Sequence, residues 1–302
     1  MKNSFFALIF IASFFLAITG CHHNVETPPK IGVVFGGGGA KGAAEVGVLK
    51  VLEEAGIKAD YVTGTSMGAV IGGLYAAGYK ASEIEQLLLN EEWMWLFDET
   101  KIKKLGGHRL LGLIKGPYFV KQLNNVLERK DAQLFHHLKT PFTCMATDLS
   151  DSSFKEVRLD QGDVADAIRI SMAYPAPGNA PIMRDKQSLA DGGMVNNLPV
   201  DVVKDMGAEF VIAIDLEQSD NELDLGIPSV GIITKWLNLR PDVEKRQKNI
   251  DKADIYIHPD LTEFSIRDYN REKLSRMIEI GEEAARQHLD ELIQLGERIQ
   301  NQ

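Results

Sequence analysis

The chain has 302 residues, a formal net charge of −10 and 44% hydrophobic residues. A chain of this length buries a core large enough to fold without disulfides, and its two cysteines exclude the small cysteine-stapled scaffolds. The acidic charge argues against nucleic acid as a partner.

The N-terminus has the pattern of an export signal. Lys2 precedes an apolar run from Phe5 to Ile18, which is short for a membrane span and typical of a signal-peptide core. The run ends at Ile18-Thr19-Gly20-Cys21, which resembles a bacterial lipobox with an acylated cysteine. We expect a lipoprotein signal peptide at residues 1–20, a lipidated Cys21 and a tether over residues 21–30. An ordinary secretory signal and an N-terminal anchor helix are the alternatives.

Lipidation of Cys21 predicts a location in the cell envelope, with the chain anchored to a membrane through that residue. His22 follows the cysteine where aspartate would direct retention, which favours the outer membrane by analogy with enteric sorting rules. Cys144 is then the one remaining cysteine, in an apolar run that predicts a buried and inert thiol.

The next segment alternates strands and helices. Ile31 to Phe35 is a short, continuously apolar run, which is typical of a strand buried on both faces. Ala43 to Ala55 has helical spacing and is followed by Gly56, and Asp60 to Thr63 predicts a second strand. This order predicts a βαβ unit and therefore a parallel sheet covered by helices.

A glycine-rich run, Gly36 to Gly42, joins the first strand to the first helix. Its backbone amides could hold an anion, either a pyrophosphate or a transient oxyanion. The spacing fits the dinucleotide fingerprint, but the acidic residue that this fingerprint needs would end the second strand, and Asp60 begins it. We assign the run to an oxyanion and keep a nucleotide-binding module as the alternative from another functional class.

The second strand ends in Gly64-Thr65-Ser66-Met67-Gly68, and Ala69 to Ala77 predicts the helix that follows. A serine between two glycines at a strand-to-helix turn indicates a nucleophile elbow, because only small residues fit on both sides of so tight a turn. The helix N-terminus then points its positive dipole towards the serine. The pattern predicts a serine hydrolase.

The segment from Trp93 to Val120 is aromatic and apolar, with basic residues in an otherwise acidic chain. It is either an entrance or lid that meets anionic lipid headgroups, or an ordinary helical insertion with lysines on its wet face. The basic residues are Lys101, Lys103, Lys104, Arg109 and Lys115.

The rest of the chain predicts further strands and helices. Strands are expected at 142–147, 156–159, 210–215 and 254–258, a hairpin at 182–190, and helices at 164–173, 198–206 and 271–299, the last interrupted or bent near Gly281.

Asp191-Gly192-Gly193 ends the hairpin, and Asp191 is the strongest candidate for a base that activates the serine. A Ser–His–Asp triad is the alternative, with Asp191 or Asp215 followed by His258 in the chain order of the α/β-hydrolases. No group of His, Asp and Glu has metal-ligand spacing, so we predict no metal.

These three motifs, in this order, resemble the bacterial branch of the patatin-like phospholipase family. The resemblance covers about Ile31 to Leu216 and includes two flanking segments, Ala167–Ala173 and Asn196–Pro199. It implies a three-layer α/β/α fold with a mostly parallel central sheet, formed by residues 31–302, with C-terminal helices at about 262–302 packed on it.

The resemblance also implies the chemistry. Ser66 would be the nucleophile and Asp191 the base of a Ser–Asp dyad, and the oxyanion hole would contain Gly37, Gly38, Gly39 and Met67. The remaining motif residues would support the site: Lys41, Gly42, Gly64, Gly68, Gly192 and Gly193. The expected activity is hydrolysis of phospholipid or other lipid acyl esters, of phospholipase A or lysophospholipase type, without a cofactor. A carboxylesterase or thioesterase acting on soluble substrates is the alternative.

Overall fold

A computed structural model describes residues 28–97, 108–151, 154–175, 181–218 and 241–300, without the side chains of residues 95, 97, 108–115, 241 and 300. The predicted signal peptide, Cys21 and the basic side chains of the Trp93–Val120 segment lie outside these described residues.

The strands of the described residues form one sheet with the order β5-β6-β3-β2-β1-β7-β8, and β4 pairs with β3 beside this path. Five neighbouring strands of this sheet are parallel, in the order β3, β2, β1, β7 and β8. The antiparallel pairs lie at the other end of the sheet. The strands are β1 Ile31–Phe35, β2 Tyr61–Gly64, β3 Phe142–Asp148, β4 Lys155–Leu159, β5 Ile182–Arg184, β6 Gln187–Asp191, β7 Phe210–Ile214 and β8 Ile255–Ile257.

Helices cover both faces of the sheet, as expected for an α/β fold. Side chains of β1 alternate between two cores: Ile31, Val33 and Phe35 belong to the larger one, and Val34 belongs to the smaller one. The helices are α1 Ala43–Glu54, α2 Met67–Ala76, α3 Ala81–Leu88, α4 Glu91–Phe97, α5 His108–Glu128, α6 Val164–Ser171, α7 Val200–Asp205, α8 Pro241–Ile250, α9 Arg271–Arg286 and α10 Leu289–Gln300.

The predicted strands and helices are confirmed, with ends that differ by at most two residues, except in the C-terminal helical segment. Its interruption lies at Gln287 and His288, between α9 and α10, so the predicted interruption near Gly281 is wrong. Gly281 lies inside α9 because α9 crosses α1 very closely: a Cβ on Gly281 would lie 1.9 Å from the carbonyl oxygen of Ala44. Gly47 of α1 makes the reciprocal approach, 1.9 Å from the carbonyl oxygen of Ile278.

The register around β3 brings two distant parts of the chain together. Cys144 pairs with Gly64 of β2 and Leu159 of β4, whereas Ala146 pairs with Asp191 of β6 and Val157 of β4. Strand β4 pairs with one edge of β3. The other edge of β3 therefore pairs with both β2 and β6. β2 is parallel to β3 and β6 is antiparallel, so their C-terminal ends meet head-on.

Candidate active site

Ser66 lies in a strained turn at the end of β2. Its φ of 54° and ψ of −121° are unusual for a residue with a side chain. A Cβ on Gly64 would lie 2.4 Å from the carbonyl oxygen of Gly68, and one on Gly68 would lie 2.4 Å from the carbonyl oxygen of Phe35. Glycine is therefore required on both sides of Ser66, as the sequence predicts.

The hydroxyl of Ser66 contacts the carboxylate of Asp191 directly. Ser66 Oγ donates a hydrogen bond to Asp191 Oδ2 at 2.7 Å, although 125 positions separate the two residues. The amide of Gly193 donates to the other carboxylate oxygen, Asp191 Oδ1, at 2.8 Å. Both carboxylate oxygens are thus bound, and the lone pair of Oδ2 is aimed at the serine proton.

Asp191 is a stronger base than an ordinary aspartate. Its side chain is 5% exposed, and burial raises its pKa to about 6, while the hydrogen bonds from Gly193 and Ser66 oppose the shift. An unperturbed aspartate has a pKa near ~3.9 and is correspondingly a weaker proton acceptor. At neutral pH Asp191 is ionised and able to take a proton.

The end of α6 holds both residues. Ser66 donates its backbone N–H to Ser171 Oγ at 3.0 Å, and Asp191 donates its backbone N–H to the carbonyl oxygen of Ala173 at 3.0 Å. In the sequence, Ala167–Ala173 is notable only for its resemblance to a flanking segment of the family, and no role in the site can be predicted for it. Ser171 is the last residue of α6 and Ala173 follows it by two positions, so one short stretch of chain contacts the backbone of both the serine and the aspartate.

The amide of Gly37, expected as an oxyanion donor, has another hydrogen-bond partner in the structure. Its amide already donates to the backbone carbonyl of Asn197 at 3.2 Å, and the Asn197 side-chain amide donates back to the Gly37 carbonyl at 3.1 Å. This reciprocal pair occupies both polar backbone groups of Gly37, so an oxyanion would have to compete with Asn197 for the Gly37 amide. Asn197 also lies between the glycine run and the Asp191 turn, because its Oδ1 would be 2.8 Å from a Cβ on Gly193.

Three other amides beside the serine have no such partner. The backbone N–H groups of Gly38, Gly39 and Met67 donate to no other residue in the described ranges. Gly38 and Gly39 are partly exposed, and a Cβ on the neighbouring Gly37 would lie 3.3 Å from Ser66 Cβ. Gly39 has a φ of 56° and must be glycine. These amides are suited to an oxyanion next to Ser66.

The remaining motif residues pack the site tightly. A Cβ on Gly42 would lie 2.3 Å from Met67 Cγ, and one on Gly192 would lie 2.5 Å from the carbonyl oxygen of Met145. Lys41 is 2% exposed. The Gly42 contact holds the glycine run against the residue that follows Ser66, and the Gly192 contact holds the Asp191 turn against β3.

The structure does not assemble the alternative triad. His258 Nε2 lies 2.7 Å from the carbonyl oxygen of Glu217, and its ring stacks on Tyr256. Asp215 accepts a hydrogen bond from the Tyr256 hydroxyl at 2.8 Å. Of the titratable side chains described, Asp191 is the one hydrogen-bonded to Ser66 Oγ. The triad is therefore contradicted, because its histidine is held elsewhere.

The nucleotide-binding alternative needs an acidic residue near the glycine run, and Asp60 lies elsewhere. Asp60 accepts hydrogen bonds from the Ile31 amide at 2.8 Å and the Lys30 ammonium at 2.9 Å. Ile31 begins β1 and the glycine run follows its end, so Asp60 lies at the opposite end of the sheet from the glycines.

The described residues form neither a membrane-spanning helix nor a metal-binding cluster. None of their helices combines the length and apolar character that a membrane span needs. They also contain no cluster of three or more His, Cys, Asp or Glu side chains that could hold a metal ion.

Comparison with known proteins identifies a family, relatives in sequence and a solved structure of similar fold. The family model described as patatin-like phospholipase matches residues 33–204. Patatin-like phospholipase domain-containing protein 6 of Homo sapiens is 36% identical over 74% of this chain, and neuropathy target esterase sws of Drosophila melanogaster is 33% identical over 65% of it. The chain spans 16% and 13% of the lengths of these two relatives. Both are animal proteins, so the bacterial branch stays a prediction.

A solved structure shares the fold. VipD from Legionella pneumophila superposes with a TM-score of 0.51 at 17% identity, covering 87% of this chain and 67% of that one. At this identity the likeness concerns the arrangement of helices and strands alone.

Proposed function

This chain belongs to the patatin-like phospholipase family, and we propose that it hydrolyses the acyl esters of lipids through a Ser66–Asp191 dyad. The observation that carries the proposal is the 2.7 Å hydrogen bond from Ser66 Oγ to a buried carboxylate whose pKa is raised to about 6. A nucleophilic serine needs a base in contact with its proton, and this geometry supplies one.

In the first half of the reaction, Ser66 Oγ attacks the carbonyl carbon of the ester while its proton passes to Asp191 Oδ2. The carbonyl oxygen becomes an oxyanion, and the amides of Gly38, Gly39 and Met67 are proposed to donate to it. When the tetrahedral intermediate collapses, the bond to the alcohol breaks and Asp191 returns its proton to the leaving oxygen. Ser66 is then acylated.

In the second half, water takes the place of the alcohol. The oxygen of the water attacks the acyl carbon while Asp191 accepts a proton from the water. The same amides stabilise the second oxyanion. Collapse releases the fatty acid and returns the proton to Ser66 Oγ. Asp191 serves both halves because its Oδ1 remains fixed by Gly193 at 2.8 Å.

We propose phospholipids as substrates, with phospholipase A or lysophospholipase activity. The support is the family and its patatin-like phospholipase relatives. The dyad itself is compatible with any alcohol as the leaving group. The full chain is incubated in detergent micelles with mixed phospholipids, and the released lipids are identified by mass spectrometry.

Free fatty acid together with lysophospholipid is the expected product, and Ser66→Ala should release neither. Cleavage of soluble esters or thioesters without any release from phospholipids would overturn the lipid assignment in favour of a soluble-substrate esterase. His258→Ala is the matched control for the mechanism, and it should retain activity because that histidine contacts Glu217 and Tyr256.

We also propose that Cys21 is lipidated and anchors the chain in the cell envelope, with the outer membrane as the favoured membrane. The support is the Ile18-Thr19-Gly20-Cys21 sequence at the end of the apolar run. Metabolic labelling of a bacterial host with palmitate tests it. The wild-type chain should take up the label and Cys21→Ser should not, and equal labelling would contradict the proposal.

A further inference from the structure

Glu45 is a buried acid that the proposed reaction does not use. It lies in the first turn of α1, and its side chain is 0% exposed. Neither of its carboxyl oxygens has a hydrogen-bond partner among the described residues. Burying an ionised carboxylate without a partner costs so much free energy that such a group normally keeps its proton.

The carboxyl lies directly behind the glycine run. Glu45 Oε2 would be 3.6 Å from a Cβ on Gly42, and the same Cβ would touch Met67 Cγ at 2.3 Å. Burial raises the pKa of Glu45 well above its usual range; the nearby Gly36 amide opposes the shift and the charge of Asp215 adds to it. The Gly36 amide donates its hydrogen bond to the carbonyl oxygen of Ile214 at 3.0 Å.

Among the described residues, the charged groups around α1 provide no counter-ion for Glu45. Asp215 carries the same sign as an ionised Glu45, and it is bound to Arg246. The pairs that α1 makes with α3 and α9, Lys50–Glu85 and Glu54–Arg286, lie on its later turns. Lys41 is the basic side chain of the glycine run itself, and its presence does not prevent the upward shift of the Glu45 pKa.

We propose that Glu45 is a positioning residue that supports the glycine run as a neutral acid, and that loss of its proton disables the run. This role rests on the proposed function, in which the Gly38, Gly39 and Met67 amides hold the oxyanion. A negative charge behind those amides would oppose the negative charge that develops on the substrate oxygen. It would also draw water or a backbone donor towards itself, which moves the amides.

Glu45→Gln separates the neutral from the ionised form, because glutamine has nearly the same size and cannot lose a proton. Unfolding by urea is followed for both full-length proteins from pH 5.5 to pH 8.5. A group whose pKa is higher in the folded state destabilises the protein as pH rises above its unfolded pKa. While the pH lies between the unfolded and the folded pKa of Glu45, the ratio of the two unfolding equilibrium constants should therefore change by about tenfold per pH unit in favour of glutamine.

Glu297→Gln, an exposed position in α10, is the matched control and should show no such trend. A stability difference between Glu45→Gln and wild type that stays constant with pH would overturn the proposal, because Glu45 would then already be ionised.

The second measurement concerns turnover. Hydrolysis of a short-chain chromogenic ester is measured from pH 7 to pH 10. The kcat of wild type should fall on the alkaline side with KM unchanged, and the kcat of Glu45→Gln should stay level. A residue that merely filled space would not alter the pH profile.

Parallel profiles in two active proteins would overturn the role of Glu45 alone. Absence of hydrolysis in both proteins at every pH would overturn the proposed function and this role with it.

Discussion

The elbow around Ser66 and the turn around Asp191 are built in different ways. The elbow is largely a local structure: its strain at Ser66 and the close approach of Gly64 to Gly68 arise within five consecutive residues, while Phe35 of β1 and Ser171 contact it from outside. The Asp191 turn depends on the rest of the molecule. Its register comes from β3, its amide is held by Ala173, and its pKa is raised by the surrounding core.

The difference teaches where each property of a dyad is encoded. A nucleophile's conformation follows from glycines at fixed spacing, so a short motif is sufficient to predict it. The strength of a base and its distance to the serine follow from burial and strand register, which are long-range properties. Changes at the elbow should therefore disturb geometry, whereas changes around Asp191 should disturb proton transfer.

The largest effects are expected from the two dyad residues. Ser66→Ala removes the nucleophile and Asp191→Asn removes the base with little change in shape. We expect kcat to fall by roughly 10⁴- to 10⁶-fold for Ser66→Ala and by a comparably large factor for Asp191→Asn. Steady-state kinetics on a chromogenic ester measure this. A near-native rate for Asp191→Asn would remove Asp191 from the mechanism.

The elbow itself is broken by Gly68→Ala. The added Cβ would lie 2.4 Å from the carbonyl oxygen of Phe35 and 2.5 Å from that of Gly36, and backbone cannot give way easily. We expect a loss of about 1–3 kcal/mol of stability and about a hundredfold loss of kcat, because Ser66 is displaced. Thermal denaturation and kinetics measure both.

Gly72→Ala, one turn later on α2, is the matched control. Its Cβ would meet side-chain atoms of Phe35 and Val62 at 3.0 and 3.2 Å, which adjust more easily than backbone. It should remain close to wild type in rate. Equal damage from both substitutions would mean that the elbow is no more sensitive than the rest of the helix.

A smaller effect is expected where the two regions are joined. Ser171→Ala leaves the Ser66 amide without its acceptor, which should cost about 1–3 kcal/mol of stability and about tenfold in kcat. KM should change little, since Ser171 is 0% exposed and cannot reach substrate. Ser82→Ala, an exposed position on α3, is the control. Wild-type kcat for Ser171→Ala would show that α6 does not set the geometry.

The prediction with the smallest effect at neutral pH concerns the protonation of Asp191. Since its pKa is raised to about 6, the fraction able to accept a proton falls as pH drops through that value. We expect kcat/KM to have an acid limb with a midpoint near 6 and to lose about tenfold per pH unit below it. A midpoint near the usual aspartate pKa of ~3.9 would contradict the effect of burial.

The same contrast explains what the sequence could predict. The βαβ unit, the elbow and the strand boundaries follow from apolar runs and glycine positions, and the structure agrees with them. The occupied amide of Gly37, the hold of Ser171 on Ser66 and the continuity of α9 through Gly281 could not be predicted. Each depends on a partner far away in the chain, namely Asn197, the end of α6 and α1.

The central claim is that Asp191 makes the hydroxyl of Ser66 nucleophilic, and covalent labelling tests it most directly. The full chain is incubated with a fluorophosphonate, and the modified residue is located by peptide mass spectrometry. The account predicts one adduct, on Ser66, that forms at least a hundredfold more slowly in Asp191→Asn. Labelling at another serine, or labelling of Ser66 at an unchanged rate in Asp191→Asn, would contradict it.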